Sequence, residues 1–480
     1  MSFAQGALFG SEVAPESSWQ ARPRVRDGVR FRDPAPVSLF PSLPGSSVPA
    51  DHPARRLGQA LESMDLSFLR RRYAHLGGYP YDPLGMLGAI LFGMTQGVRT
   101  GRDLEEACRF DDRYRLLARG HTPDDRTFDR FIERIGPSLD ELLREVLALA
   151  RKSGAVLGGE VAVDGCKVPC GASWWSDSPS DPDARQMESH GRRMIGYNAL
   201  AAVDTGRGLI LGAEVVNDQN DFHAMAPAIE AMLAQSGELP ASALADSGFD
   251  TPAAIQFLED SGVDSVIAPR NPRSLEPFSE DEHGDWACPA GKRLVKLGTG
   301  FKTRTDRYDR YGPEGGCRGC PLKASCPFFK KRLHVPEGAD AGARLRNLSR
   351  TRSATYHRAG VRRMRAETPF AFLRRHDRFE RFRGRSLQRA RVEFRLWVAS
   401  YNIRKILGAF KNAGKRLSGL FLAALDACLA LVAELTQKAA TWEAPRALAP
   451  SGRPKCRSHP QPSDATSEAP QSISTGEKRR

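Results

Sequence analysis

Apolar residues along this chain change from helical to strand spacing near residue 160. Between 56 and 155 they recur at i, i+3 and i+4: in Met64–Tyr73, in the Leu84–Thr95 run and in Thr100–Phe110. That spacing lays an apolar stripe along one face of a helix. Thr122 or Asp124 can cap a further helix carrying Phe128, Phe131, Ile132 and Ile135 on one stripe. From Glu160 the period becomes two. Val161–Val168, Tyr197–Asp204 and Gly208–Asn217 read as strands separated by Gly or Asp turns. A helix at Ala224–Leu233, a short strand at Ser242–Asp246, a helix at Pro252–Asp260 and a strand at Ser265–Pro269 follow. The pattern predicts an N-terminal helical domain at 56–155 and an α/β domain at 156–416. The latter is interrupted by an insertion at 271–340, and the next long helical region begins around Thr355.

The two ends differ from this middle. Residues 1–55 are rich in Pro, Ser and Gly and read as a disordered leader; 441–480 read as a disordered polar tail. Leu417–Leu435, apolar on nearly all sides, predicts a C-terminal helix over 417–440 that is buried or lies at an oligomer interface. The longest charge-free apolar stretch, Pro83–Val98, falls short of the roughly 20 residues a membrane span needs. The first residues have no basic run ahead of an apolar core, so the expectation is a cytoplasmic protein with no membrane contact.

Charge adds a partner. The net charge is +14, yet Arg344–Lys415 alone holds twenty-one Lys and Arg against four acids, a local balance of +17. So concentrated a block neutralises phosphates, and its arginines suit bidentate phosphate contact. The expected DNA-binding residues are Arg363, Arg374, Arg375, Arg383 and Arg385. The short helices of 56–155, with their basic edge, fit a helix-turn-helix-like DNA-binding module.

Asp164, after Val161 and Val163 and before a glycine, sits where a strand ends or twists, and Asp246 closes SALAD at a strand terminus before Ser247-Gly248. Ligands bind beyond the carboxyl ends of strands in an open sheet. If those strands are neighbours, the carboxylates face each other and a divalent cation relieves their repulsion. Three strands and then helix–strand–helix–strand is the order of a ribonuclease-H-like domain. A third acid should come from a helix packed on the sheet. Glu367 is the candidate, with Arg363 and Arg374 within about 40° of it on a continuous helix. Pro369 can kink that helix or start it afresh, and Glu380 and Glu393 are rivals.

Taken together, these residues resemble the DDE transposases of bacterial insertion sequences. More narrowly, they resemble the branch with a Tyr-x2-Arg-x3-Glu-x6-Lys signature and a large insertion ahead of the glutamate. The resemblance spans about Tyr73 to Leu407. It rests on the helical stretch from Tyr81 to Phe131, on VAVDGCKVPCGAS around Asp164, on ALADSGFDTPAAIQFL around Asp246, and on RRMRAETPFAFLRR through Glu367. Gly360 stands where the signature has tyrosine, and Arg374 where it has lysine. The resemblance implies a ribonuclease-H-like fold and catalytic Asp164, Asp246 and Glu367 holding Mg²⁺ as two ions. It also implies double-stranded DNA as substrate (the element's terminal inverted repeats and a target), a homodimer, and a place on the nucleoid. The rival classes are a catalytically silent DNA-binding derivative and a ribonuclease-H-like nuclease that cuts without joining.

Nine cysteines remain to be placed. Cys288, Cys317, Cys320 and Cys326 fall in the insertion and read either as four free thiols in a loop or as the four thiolates of a structural zinc, with His283 a substitute ligand. Lys292, Lys302, Arg304 and Arg307 would then meet DNA phosphates. Cys166, Cys170, Cys108 and Cys428 read as packing residues, and Cys456 has no visible partner. Trp174 and Trp175 read as packed loop residues that could instead stack on a base; His190 and His223 stay unassigned.

Overall fold

The computed structural model describes residues 32, 47–73, 79–155, 157–170, 181–189, 191–270, 279–280, 285–301, 307–326, 332–336, 341–353, 356 and 362–416. The chain forms two compact units, Met1–Ala413 and Gly414–Arg480. The expected 417–440 helix and 441–480 tail lie outside the described residues, as does most of the 1–55 leader.

The helical region runs α1 (Pro53–Ser63), α2 (Ser67–Arg70), α3 (Pro83–Gln96), α4 (Gly101–Phe110), α5 (Asp112–Leu117), α6 (Asp125–Ile135) and α7 (Leu139–Lys152). Local chemistry sets these bounds. Asp82 caps α3 ahead of a proline, Thr100 caps α4, and Asp124 caps α6 by accepting from Thr127 N at 2.6 Å. Gly97 ends α3 at φ 77°, a left-handed position that glycine takes without strain. Residues Gly85–Met94 of α3 are all buried, so the chain's longest apolar stretch is the central helix of this layer. Among the described residues no helix is long and apolar enough to cross a membrane. The first helix starts at Pro53, slightly ahead of the expected boundary.

The sheet begins with β1 (Glu160–Pro169), β2 (Arg185–Ser189), β3 (Arg192–Asp204) and β4 (Ile210–Val216). After α8 (Met225–Ser236) come β5 (Ser242–Ala245), α9 (Pro252–Asp260) and β6 (Asp264–Ile267). The thirteen-residue β3 pairs antiparallel with β1, β2 and β4; beyond β1 the order continues β5, β6, both parallel. The strand β2, with its mostly exposed RQMES, had no apolar alternation to announce it.

The insertion holds β7 (Ser279–Glu280), β8 (Trp286–Ala287), β9 (Leu294–Phe301), β10 (Arg307–Pro313) and β11 (Leu333–Pro336). The last three form a small antiparallel sheet over its own core of Leu333, Val335, Leu345 and Leu348. Helix α10 (Ala341–Arg352) follows, then α11 (Glu367–Arg375) and the thirty-residue α12 (Leu387–Arg416). The helical stretch expected near Thr355 thus begins earlier, at Ala341. Its inner face mixes Leu345 and Leu348 with Asn347, which bonds both backbone groups of Ile267 (2.8 and 3.0 Å).

One hydrophobic core runs through the helical region and the large sheet, from Ala54 to Ile406. Helix α12 stitches the two. Ser400 Oγ donates to Leu91 O of α3 (2.9 Å), and Asn402 pairs with Ile210 of β4 in both directions (2.9 and 2.7 Å).

Candidate active site

Strands β1 and β5 are adjacent and parallel, with Val161 opposite Ala243 and Ala162 opposite Leu244. Asp164 and Asp246 each lie two residues further on, so the register carries both to the same level. Asp246 follows the end of β5 as expected, but Asp164 lies midway along β1, which runs on to Pro169 because its pairing with β3 continues. The Asp164 Oδ1 accepts from the Gly165 N–H at 2.8 Å. Asp246 Oδ1 accepts from Gly248 N at 2.7 Å and caps the Ser247–Phe249 turn. Burial pushes the Asp164 carboxyl up to about 7; Asp246, Asp221 and Glu367 push it the same way, against the pull of the Gly165 N–H.

Glu367 therefore stands close enough to act on Asp164, although exposed. It is the first residue of α11, and Pro369 is the third, where a missing N–H costs the helix nothing. The expected continuous helix through Arg363 does not form: Arg362 and Arg363 are helical, but Met364, Arg365 and Ala366 make a turn between them and α11. Glu367 and Arg374, seven residues apart, do share a face. Arg374 Nη2 lies 2.9 Å from Cys166 Sγ and 3.5 Å from Lys167 O, which sets the last turn of α11 against β1. Cys166, expected only to pack, thus also accepts from a guanidinium. Cys170 and Cys108 are buried. Cys428 and Cys456 are outside the described residues.

The rival acids stand elsewhere. Glu393 is buried and pairs with Arg99 Nη1 at 2.6 Å, and it also accepts from the backbone of Arg383 (2.8 Å) and Gly384 (3.4 Å). Glu380 is exposed, near that same pair. Arg375, Arg383 and Arg385 are exposed and Arg363 is half-buried.

Asp221 was not anticipated. It belongs to a polar loop after β4 that carries no apolar pattern, and only its contacts reveal it: its Oδ1 accepts from Lys167 Nζ and Asn198 Nδ2, both at 2.7 Å.

Hard carboxylate oxygens around Asp164, with Lys167 already taken by Asp221, suit a divalent cation. Among the described residues no three His, Cys, Asp or Glu side chains converge as they stand to hold an ion. The same holds for Cys288, Cys317, Cys320 and Cys326, which are free and half-buried; Cys288 and Cys326 pack against the insertion's small core. Lys292 donates to Gly316 O at 2.9 Å and Arg307 lies over the Phe301 ring, so neither is simply an idle cation. Trp174, Trp175, His190, His283, Lys302 and Arg304 are outside the described residues; His223 is exposed.

The family described as "Transposase DDE domain" matches residues 159–403, and "Transposase domain (DUF772)" matches 44–134. No curated protein matches. A cryo-EM structure of a piggyBac transposase synaptic complex with hairpin DNA is similar over 76% of this chain and 80% of that one, at 10% identity and a TM-score of 0.29. The first match spans just over half of the 480 residues and includes both Asp164 and Asp246: the chain belongs to the DDE transposases.

Proposed function

We propose that Asp164, Asp246 and Glu367 are the catalytic carboxylates of a ribonuclease-H-like domain that cuts and joins double-stranded DNA, in the branch with the Tyr-Arg-Glu-Lys signature. The observation that carries this is the common level of Asp164 and Asp246 on neighbouring parallel strands, with Glu367 raising the same Asp164 carboxyl. These three side chains would hold Mg²⁺, as two ions. When bound, the metal supplies Lewis acidity toward the scissile phosphate and its attacking oxygen.

The protein's own residues bind and orient the DNA. Arg374, fixed against β1, and the exposed Arg375, Arg383 and Arg385 neutralise phosphates around the carboxylates, with Arg363 at the entry to α11. Two in-line phosphoryl transfers follow. In the first, water forms a P–O bond as the P–O3′ bond at an inverted-repeat end breaks, leaving a 3′-hydroxyl and a 5′-phosphate. In the second, that 3′-hydroxyl forms a P–O bond with a target-DNA phosphate as the target's own P–O3′ bond breaks. Two element ends must be held together, which calls for a homodimer acting on the nucleoid, with 56–155 as a DNA-binding domain. A zinc on Cys288, Cys317, Cys320 and Cys326 would need the thiols drawn closer than they stand, and metal analysis of purified protein decides it.

The test is a Mg²⁺-dependent cleavage and strand-transfer assay on DNA bearing the element's ends, comparing wild type with Asp164→Asn, Asp246→Asn and Glu367→Gln. Each variant is expected to bind DNA and fail to cleave. Near-normal cleavage by any of them removes that residue from the site. Cleavage by wild type without joining would favour the nuclease.

A further inference from the structure

Between β4 and α8 the chain runs Asn217-Asp218-Gln219-Asn220-Asp221-Phe222-His223-Ala224. This loop grips β1 just past Asp164 and the turn just past Asp246. On one side, Asp221 Oδ1 accepts from Lys167 Nζ and Asn198 Nδ2, which face each other across β1 and β3. A Cβ at position 165 would lie 2.7 Å from Asp221 Oδ1 and 2.8 Å from Asn198 Oδ1, so the clamp closes only over a glycine, immediately after Asp164. The ion pair is largely covered, with side chains 10% (Lys167) and 25% (Asp221) exposed.

On the other side, Arg270 stacks on the Phe222 ring at 4.1 Å. The same guanidinium donates to Ser247 O (2.8 Å) and Gly248 O (3.0 Å), in the turn that Asp246 caps. Thr251, which caps α9, donates from Oγ1 to Phe222 O at 3.2 Å. Two consecutive loop residues thus tie down β1 beside Asp164 and the turn beside Asp246.

We propose that Asp221 is a positioning residue of the cleavage site: held by Lys167 and Asn198, it registers Asp164 against Asp246, and with Lys167 it balances the charge that an incoming divalent cation meets. This rests on Asp164 and Asp246 being the cleaving pair. Removing one partner of a covered ion pair leaves the other's charge uncompensated. Asp221→Asn exposes the site to the Lys167 ammonium, and Lys167→Met exposes it to the Asp221 carboxylate. Cation affinity should therefore move in opposite directions in the two variants, whereas a role confined to holding the fold moves both the same way.

The experiment measures Mn²⁺ affinity by electron paramagnetic resonance without DNA, thermal melting, and single-turnover cleavage at saturating Mg²⁺. Asp221→Asn is expected to weaken Mn²⁺ binding about tenfold and Lys167→Met to tighten it about fivefold. The double variant should return to within about threefold of wild type. Both single variants should lose at least about tenfold in cleavage, since both release the register. If Lys167→Met does not fold, Lys167→Gln makes the same charge change while keeping a hydrogen bond to Asp221. Affinities that shift in the same direction, or wild-type cleavage by both variants, overturn the proposal. Asp164→Asn is run alongside: if it cleaves normally, the assignment of the site itself fails. If it is dead while the Asp221 and Lys167 variants behave as wild type, only the positioning role fails.

Discussion

Arg99, just after α3, and Glu393, in α12, meet at 2.6 Å across 294 positions of sequence. The Arg99 guanidinium also lies 4.1 Å from the centre of the Phe379 ring, and its side chain is 2% exposed. Burial opposes both charges, pulling Arg99 down and pushing Glu393 up, and each partner's charge answers for the other. Glu393→Gln would strand the guanidinium, so a loss of about 3 kcal/mol is expected, read by denaturant unfolding. Cleavage per folded molecule should stay within about threefold of wild type. Abolished cleavage at unchanged stability would instead make Glu393 a catalytic acid.

Asp164 gives a pH dependence with a definite sign. Its carboxyl keeps its proton to about 7 in the folded chain, against 3.8 ordinarily, so the native state binds the proton more tightly than the unfolded one. This group's effect on metal-free stability is therefore a loss as pH rises from about 4 to about 7, of at most about 4 kcal/mol. Asp164→Asn should remove that slope in a series of melting curves. Divalent cation should raise the melting temperature more at pH 8 than at pH 5.5, where it competes with the proton; an equal rise at both would count against the carboxylate cluster.

Gly165→Ala is expected to drive a methyl group into the Asp221–Asn198 contact. Overpacking of this kind costs about 1–3 kcal/mol. Cleavage should fall at least about tenfold beyond what the unfolded fraction explains, as single-turnover rates at a temperature well below melting would show.

Arg375 and Arg385, both exposed, should act on DNA through charge alone. Each change to Ala should reduce the slope of log affinity against log salt by about one. An unchanged slope in either variant removes that residue from the phosphate-contacting surface.

The sequence was most legible where chemistry and period coincide. The alternation around Asp164 and the short apolar run before Asp246 announce strands, and β1 and β5 lie side by side, although β1 runs on past Asp164 to Pro169. Helix caps were equally plain, as Asp124 shows. What stayed hidden depends on contacts between distant segments. Asp221 looks like any loop acid until Lys167 and Asn198 close on it. Strand β9 reads poorly because its residues are half-exposed and include Gly298 and Gly300. Among the three candidate acids on the C-terminal side, only the folded chain separates Glu367, whose charge reaches Asp164, from Glu393, spent on Arg99.

The core shared by α3, α12 and β4 has a consequence for how such a protein is inherited. Its helices and its sheet cannot be traded as interchangeable parts. A recombinant joining one relative's first 150 residues to another's sheet and α12 would have to match Leu91 to Ser400 and Arg99 to Glu393 in a single event. Mutations in the helical region and in the sheet are therefore selected together, as changes to one interior.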